Sequence, residues 1–325
     1  MKPPYRLTAE ILNLCVEIER LVGRYEGLNI PKPQPQLRRK NKIRSIQSSL
    51  AIEGNPLSYE QVSAILDRKR VVGPKRDIIE VQNAIAAYDR VGEYDVRAEK
   101  SFLKAHAVLM QGLIPDAGRW RTGGMNIRQG NRIVHVAPKA AMVPRLMGDL
   151  FGYLKSERGA SSLIFSCVFH YEVEFIHPFS DGNGRMGRFW QHAILSRKYP
   201  FFEFIPIESL IRKHQKDYYA ALKASDRAGE SNPFIEFCLS SVRKAIEEFI
   251  DEVRPEPISP EVRLQMANRN FGSRQFGRKD YLRFFKTLST ATASRDLHLG
   301  IVLKLLKRQG EKSQATYEFI GSLPL

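Results

Sequence analysis

Residues 175–190 read "FIHPFSDGNGRMGRFW". Each piece of this run is unremarkable alone, and together they ask for a bound anion. The apolar periodicity of "SSLIFSCVFHYEVEF" predicts a helix over 161–175. That helix must stop before Pro178, because proline disfavours helical geometry at the preceding residue. His177 is thereby set at a helix exit, where by itself it would read as a packed or solvated helix end. Phe179 reads as an apolar anchor for the loop. "SDGNG" is turn-prone; Gly182 and Gly184 flank Asn183, can both take positive φ, and can aim successive N–H groups inward as an anion nest. Taken alone, Gly-Asn-Gly is an ordinary turn.

The next element changes the weighting. "RMGRFWQHAIL" predicts an amphipathic helix with Met186, Phe189, Trp190, Ala193 and Ile194 on its packing side. Arg185 and Arg188 share a face of its first turn. Cations at a helix N-terminus oppose the macrodipole, at a cost of a few tenths of a kcal/mol or more each. An anion at that end would reverse the sign, with backbone amides, dipole and two guanidinium forks converging on phosphate. Asp181 beside such a site suits Mg²⁺, which binds through one or two carboxylates plus phosphate. His177 titrates near neutrality and suits a general base acting on a hydroxyl.

The surroundings are those of a folded, helical chain. The 325 residues are 43% hydrophobic and 26% charged, enough for a sizeable core in two or three domains. Helical periodicity dominates, in "AEILNLCVEIERLVGRY", "IIEVQNAIAAYDRV", "SFLKAHAVLMQGL" and "NPFIEFCLSSVRKAIEEFI". "MNIRQGNRIVHVAP" predicts a short hairpin, with Ile127 before a turn at Gly130-Asn131 and Ile133, Val134 and Val136 after it. "RPEPISPE" (254–261) reads as a linker to a tail domain. No stretch approaches the ~18 apolar residues of a membrane span, and the N-terminus shows no secretory h-region. Cys15, Cys167 and Cys238 are odd in number and far apart, which fits a reducing cytoplasm. Net charge is +16, and from Arg254 onward 13 Lys or Arg face 6 Asp or Glu. A basic balance favours polyanionic partners without choosing among them.

The run from His177 to Arg188 matches the Fic motif, HPFxDGNGRxxR, at all nine specified residues. "LKAHAVLMQGL", "GRWRTGGMNI" and the hairpin resemble the helix before that family's substrate-positioning flap, the approach to the flap, and the flap itself. The resemblance covers roughly 95–250. It implies a mainly α fold, a Fic-type helical bundle with a short β-hairpin flap, and an N-terminal helical region (1–94), a catalytic domain (95–253) and a linker with a tail domain (254–325). It also implies AMP transfer from ATP, with Mg²⁺, to a Ser, Thr or Tyr hydroxyl of a target protein. His177 would take the hydroxyl proton and Asp181 would hold the metal. Gly182, Asn183 and Gly184 would cradle the α- and β-phosphates, Arg185 would bind the α/β side and Arg188 the γ-phosphate. Tyr218 and Tyr219 in "HQKDYYAAL" resemble a nucleotide-base position; core packing is the alternative.

Upstream, "SSLAIEGNPLSYEQV" (48–62) predicts a helix ending at Glu53, then a second helix opened by a Ser58–Gln61 capping box with Leu57 against Val62. An acid at a helix C-terminus is disfavoured, so Glu53 is either solvated or paired with a distant cation. Ser49 to Gly54 matches the family's inhibitory motif, [S/T]xxxE[G/N], and the resemblance implies that Glu53 pairs with Arg188 and crowds the γ-phosphate. The tail, 276–320, resembles a winged helix-turn-helix: a helix around Tyr281, Leu282, Phe285 and Leu288, a turn at "TLST", a second helix through "ATASRDLHLGIVLKLLKRQG", and a wing. Ser294 and Arg295 would face DNA, with Lys312 on the wing. "LHLGIVLKLL" is more apolar than an exposed DNA-reading helix wants, so homodimerisation or target docking stands beside DNA binding. Two readings compete with AMP transfer: a Fic enzyme of other chemistry (another phosphate-containing group, or AMP removal), and a nucleotide-sensing DNA-binding regulator that is not an enzyme.

Overall fold

The computed structural model describes residues 3–28, 33–129, 132–156, 161–254, 258–286, 288–310 and 315–320, with backbone alone at 126–129 and 132–134. The chain divides into Met1–Arg254 and Pro255–Leu325, each with a hydrophobic core of its own.

The first unit is helical: α1 (Ala9–Gly27), α2 (Pro35–Ile52), α3 (Tyr59–Leu66), α4 (Lys75–Tyr88), α5 (Glu99–Leu109), α6 (Val143–Ser156), α7 (Ser162–Ile176), α8 (Asn183–Lys198), α9 (Ile207–Lys213), α10 (Gln215–Ala228) and α11 (Asn232–Val253). Between α5 and α6 lies one antiparallel hairpin, β1 (Asn126–Gln129) and β2 (Arg132–Val136), pairing Asn126 with Val136 and Ile127 with His135. Its expected turn at Gly130-Asn131 lies outside the described residues. Helices from either side of residue 94 share one core.

α7 and α8 form the centre. α7 buries eleven of its fifteen residues, mostly apolar but with Ser166 and His170 among them, as a central helix does. α8 departs from the amphipathic expectation. Besides Met186, Phe189 and Trp190 it buries Arg185, Arg188, Gln191 and His192, so its polar side also faces protein. Trp190 meets Phe102 edge-on at 5.0 Å and donates its indole N–H to the Val96 carbonyl at 3.1 Å, which seats α8 against α5. Upstream, α2 ends at Ile52 with Glu53 as its cap, and the Asn55 N–H returns to the Leu50 carbonyl at 3.1 Å. Ser58 and Gln61 form the capping box that opens α3.

The second unit runs α12 (Pro260–Phe271), β3 (Phe276–Gly277), α13 (Arg278–Phe284), α14 (Thr290–Val302), β4 (Leu306–Gln309) and β5 (Thr316–Phe319), with an antiparallel sheet ordered β3-β5-β4. Leu264, Phe276, Tyr281, Leu297, Leu306 and Phe319 build its core. Beneath lies a buried bidentate pair, Arg263 to Asp296 at 2.6 Å on both arms, joined by the Tyr281 hydroxyl. The linker ends earlier than expected, because Ser259 caps α12 and Pro260 takes its first position. The helix expected to continue to Gly310 stops at Val302. Lys304 turns the chain at φ 56°, and Leu306–Gln309 is a strand that buries Leu306. The end of the apolar run "LHLGIVLKLL" thus belongs to a sheet and not to an exposed helix.

Candidate active site

The loop after α7 is clamped from several directions. His177 caps α7 in the left-handed region, φ 51° and ψ 59°, a conformation that costs a non-glycine residue roughly 1–2 kcal/mol. Arg121, 4% exposed, holds it there. Its guanidinium donates to the carbonyls of His177 at 2.7 Å and Ile176 at 3.3 Å, and to those of Gly123 at 2.7 Å and Pro138 at 2.6 Å on the two approaches to the hairpin. One side chain therefore satisfies the open carbonyls of a helix end and ties the hairpin to it. Phe179 is fully buried and stacks on the His106 ring at 3.5 Å. His106 accepts from the Gly118 N–H at 2.8 Å through Nδ1, so its Nε2 carries the proton and donates to the Asp181 carbonyl at 3.0 Å.

Asn183, which the resemblance sends to the phosphates, uses its side chain differently. Its amide bonds both backbone groups of Phe179, at 2.9 and 3.0 Å, leaving only its own backbone for a ligand. Of the two glycines expected at positive φ, Gly182 has it, at 86°; Gly184 is already helical. Gly184 is needed for another reason: a Cβ there would collide with the Glu53 carboxylate.

His177 is half-buried, and its Nδ1 lies 3.3 Å from the Glu174 carbonyl. A carbonyl only accepts, so Nδ1 carries the proton and Nε2 keeps a lone pair. Burial lowers the ring's pKa to about 4, which keeps it neutral at neutral pH. Asp181 accepts on Oδ1 from the Gly182 N–H at 2.6 Å and from Arg185 at 2.9 Å, and on Oδ2 from Arg76 at 3.0 Å. Among the described residues Oδ2 is held by Arg76 alone, whose side chain is 59% exposed, so a divalent ion shared with phosphate oxygens would fit there by displacing Arg76.

Arg188 is fully buried and reaches back to the end of α2. Its Nε donates to Ser49 Oγ at 3.1 Å; its Nη2 donates to the Ser49 carbonyl at 3.0 Å and to Glu53 Oε1 at 2.7 Å. Its Nη1 has no hydrogen-bond partner among the described residues. Glu174 also lies against Gly184. Burial and then the charge of Glu53 raise its carboxyl to about 7. Tyr218 is 1% exposed and bonds Glu174 at 2.8 Å and His170 at 3.1 Å, so it packs in the core while also lining the cavity; Tyr219, on the same lining, is 44% exposed. A cavity of about 430 Å³ is lined by His177, Asp181, Gly182, Glu53 and Tyr219, and beyond them by His135 of β2.

Of the positions singled out in the sequence, Glu53, His177, Asp181, Gly182, Asn183, Gly184, Tyr218 and Tyr219 line one cavity, whereas Ser49, Arg185 and Arg188 are buried behind it, Arg185 reached through Asp181 and Arg188 through Glu53. Those not foreseen act through contacts distant in sequence: Arg121, His106, Arg76, Glu80 and the pair His135–Asp226, at 2.9 Å. Glu174 did carry a signal, being an acid in the last turn of α7, three residues before His177.

The Fic/DOC family profile matches residues 97–195. A Fic family protein from Desulfovibrio desulfuricans G20, solved by crystallography, is 38% identical, with full coverage of both chains and a TM-score of 0.73. Fic-1 from C. elegans (residues 134–508) shares the fold, at 22% identity, a TM-score of 0.61, and 74% of this chain against 72% of that one. Curated relatives include the protein adenylyltransferase Fic of Culex quinquefasciatus, 27% identical over 221 residues, and that of Nematostella vectensis, 28% identical over 229. Those matches take in 64% and 66% of this chain but 41% and 50% of the relatives, so the chain spans about half the length of the curated relatives it matches. Likeness at 38% identity along the whole of two chains reaches far past one shared loop, and the chain belongs to the Fic family.

Proposed function

We propose that the protein transfers AMP from Mg-ATP to a Ser, Thr or Tyr hydroxyl of a target protein, and that Glu53 restrains the reaction. One observation carries this reading: a neutral His177, with Nε2 unprotonated, lines the same cavity as the amide-rich start of α8. In the proposed reaction the target hydroxyl gives its proton to His177 Nε2. Its oxygen bonds to the α-phosphorus as the bond to the bridging α,β-oxygen breaks, and pyrophosphate leaves. Amides at Gly182–Gly184 and the Arg185 and Arg188 guanidinium groups would hold the phosphates. Asp181 would bind Mg²⁺, which neutralises phosphate charge. Ser49 and Glu53 would keep Arg188 from the γ-phosphate. Incubation with α-labelled and γ-labelled ATP beside a lysate tests the reaction: label on protein from α and not from γ is expected, and the reverse overturns it.

A second reading, AMP removal, rests on Glu53 lining the same cavity as His177, where a carboxylate could orient water. Release of AMP from pre-modified protein would support it.

For the tail, the order helix, strand, helix, helix, two strands supports a winged helix-turn-helix. Arg295 is exposed on α14, while Ser294 accepts from Arg278 at 3.1 Å; Lys312 lies outside the described residues. A gel shift with random duplex DNA at low and physiological salt separates DNA binding from protein docking or homodimerisation. The three cysteines are free, in keeping with a reducing cytoplasm, and among the described residues no helix is long and apolar enough to cross a membrane.

A further inference from the structure

The segment that carries Glu53 reaches the phosphate loop twice. Its first reach is Ser49 and Glu53 on Arg188. The second starts two residues later. Asn55 Nδ2 donates to Glu80 Oε2 at 3.0 Å and to the Asp77 carbonyl at 3.2 Å, while its Oδ1 accepts from the Leu57 N–H at 3.1 Å. Glu80, on α4, places its other oxygen 3.1 Å from Arg185 Nη1, with both side chains at least nine-tenths buried. Arg185 in turn sits on Asp181. Arg76 closes the ring, 3.6 Å from Glu80 and 3.0 Å from Asp181.

We propose that Asn55 and Glu80 form a second arm of the brake, holding Arg185 back against Asp181 as Glu53 holds Arg188. The proposal rests on the nucleotide reading above. Its physical basis is an incompletely bonded guanidinium. Arg185 Nε and Nη1 are buried and make no hydrogen bond among the described residues, although Nη1 is close to Glu80 as a charge. Buried donors left open in this way ask for a further acceptor. Two carboxylates already compensate the Arg185 charge, so an arriving phosphate gains less from it than from a free guanidinium. Arg76 has a 59% exposed side chain and is the member most easily displaced when a metal ion takes its place on Asp181. Because Glu53 and Asn55 lie on one turn, a shift of that turn releases both motif arginines together. Glu80 is thus a positioning residue: it acts on the ligand through Arg185.

The test is calorimetric titration of ATP into the full chain and its variants, with melting curves as the check on folding. Glu80→Gln keeps the shape and removes the charge. It is expected to tighten ATP binding about tenfold, the ratio that 1.4 kcal/mol of released pairing gives. Asn55→Ala is expected to tighten it less, and the double variant no more than Glu80→Gln alone, since the two act along one path. A purely structural Glu80 would leave affinity unchanged or weaker beside a lowered melting temperature, and that result overturns the second arm. Should Glu80→Gln fail to fold, Asn55→Ala decides, because it leaves every charge in place; unchanged affinity there is equally fatal. Glu53→Gly separates the two levels. ATP bound by Glu53→Gly, with no gain in Glu80→Gln, removes the second arm and leaves the nucleotide reading standing. No ATP bound by any of the proteins, wild type included, removes both.

Discussion

His177 shows how much of a residue's chemistry is set by its neighbours. A free imidazole is half protonated near pH 6.5, whereas burial holds this ring to about 4. A base is active when unprotonated, so its acid limb should lie near the lowered pKa. In a pH–rate profile, kcat/KM for AMP transfer is expected to persist well below pH 6.5. Glu174, raised to about 7, and His135, raised above its ordinary value by its hydrogen bond to Asp226, line the same cavity, so a limb found near or above neutrality should disappear in Glu174→Gln or His135→Gln. An acid limb at 6.5 that survives both substitutions would show that the working histidine is not buried as described. Glu53 and Arg188 give a second test at this scale. Their charged hydrogen bond at 2.7 Å is of a kind worth roughly 1.5–3 kcal/mol. Glu53→Gly should therefore raise initial rates with α-labelled ATP by roughly ten- to hundredfold. Arg188→Ala should not activate, because it deletes the proposed phosphate ligand along with the brake. The double variant should resemble Arg188→Ala, the non-additivity of two residues sharing one contact. Equal or lower activity in a folded Glu53→Gly protein would end the inhibitory reading.

At the scale of elements, the junction of α7, the loop that leads into α8 and the hairpin depends on Arg121. Four carbonyls from three segments converge on its guanidinium. Lysine offers one ammonium in place of the planar fork and cannot serve all four. Arg121→Lys is expected to lower the melting temperature by a few degrees, as about 1–2 kcal/mol does in a unit of this size. It should also depress transfer more than ATP affinity, since the amides proposed to hold the phosphates belong to the start of α8. Calorimetry with and without ATP measures both; loss of ATP binding as large as the loss of transfer would contradict this division. The element scale is also where sequence patterns were read with mixed success. α7 was expected over 161–175 and forms over Ser162–Ile176, because proline and apolar periodicity are local signals. The helix expected from Ala291 to Gly310 breaks at Val302, because its last residues pair with β5, and strand pairing across a turn leaves little trace in local propensity. α8 was read as amphipathic, yet its polar face is buried under α2 and α4, whose carboxylates and hydroxyls answer its arginines.

At the scale of the whole molecule, the first 254 residues contain the cavity, both motif arginines and the segment that pairs with Arg188. The second unit buries its own apolar core and its own Arg263–Asp296 pair. A chain ending at Arg254 is therefore expected to melt cooperatively and to label itself from α-labelled ATP, and residues 258–325 are expected to fold alone. A folded 1–254 fragment that no longer labels itself, where the full chain does, would show that the tail takes part in the reaction.

From sequence alone the loop between α7 and α8 could be placed, because its chemistry is written in adjacent residues. A proline stops one helix, glycines permit the turn, and two arginines three apart open the next helix. Ser49 and Glu53 could be paired with Arg188 only through the family resemblance, since 135 residues separate the two partners. Only the tertiary structure decided how those side chains are used. It turned Asn183 inward to clamp Phe179, buried Tyr218 in the core, set Arg121 under the histidine, and surrounded Arg185 with Glu80 and Asp181. The physical reason is that burial and pairing are properties of neighbours in space. A guanidinium, carboxylate or imidazole takes its charge, orientation and free donors from groups that folding brings within about 3 Å.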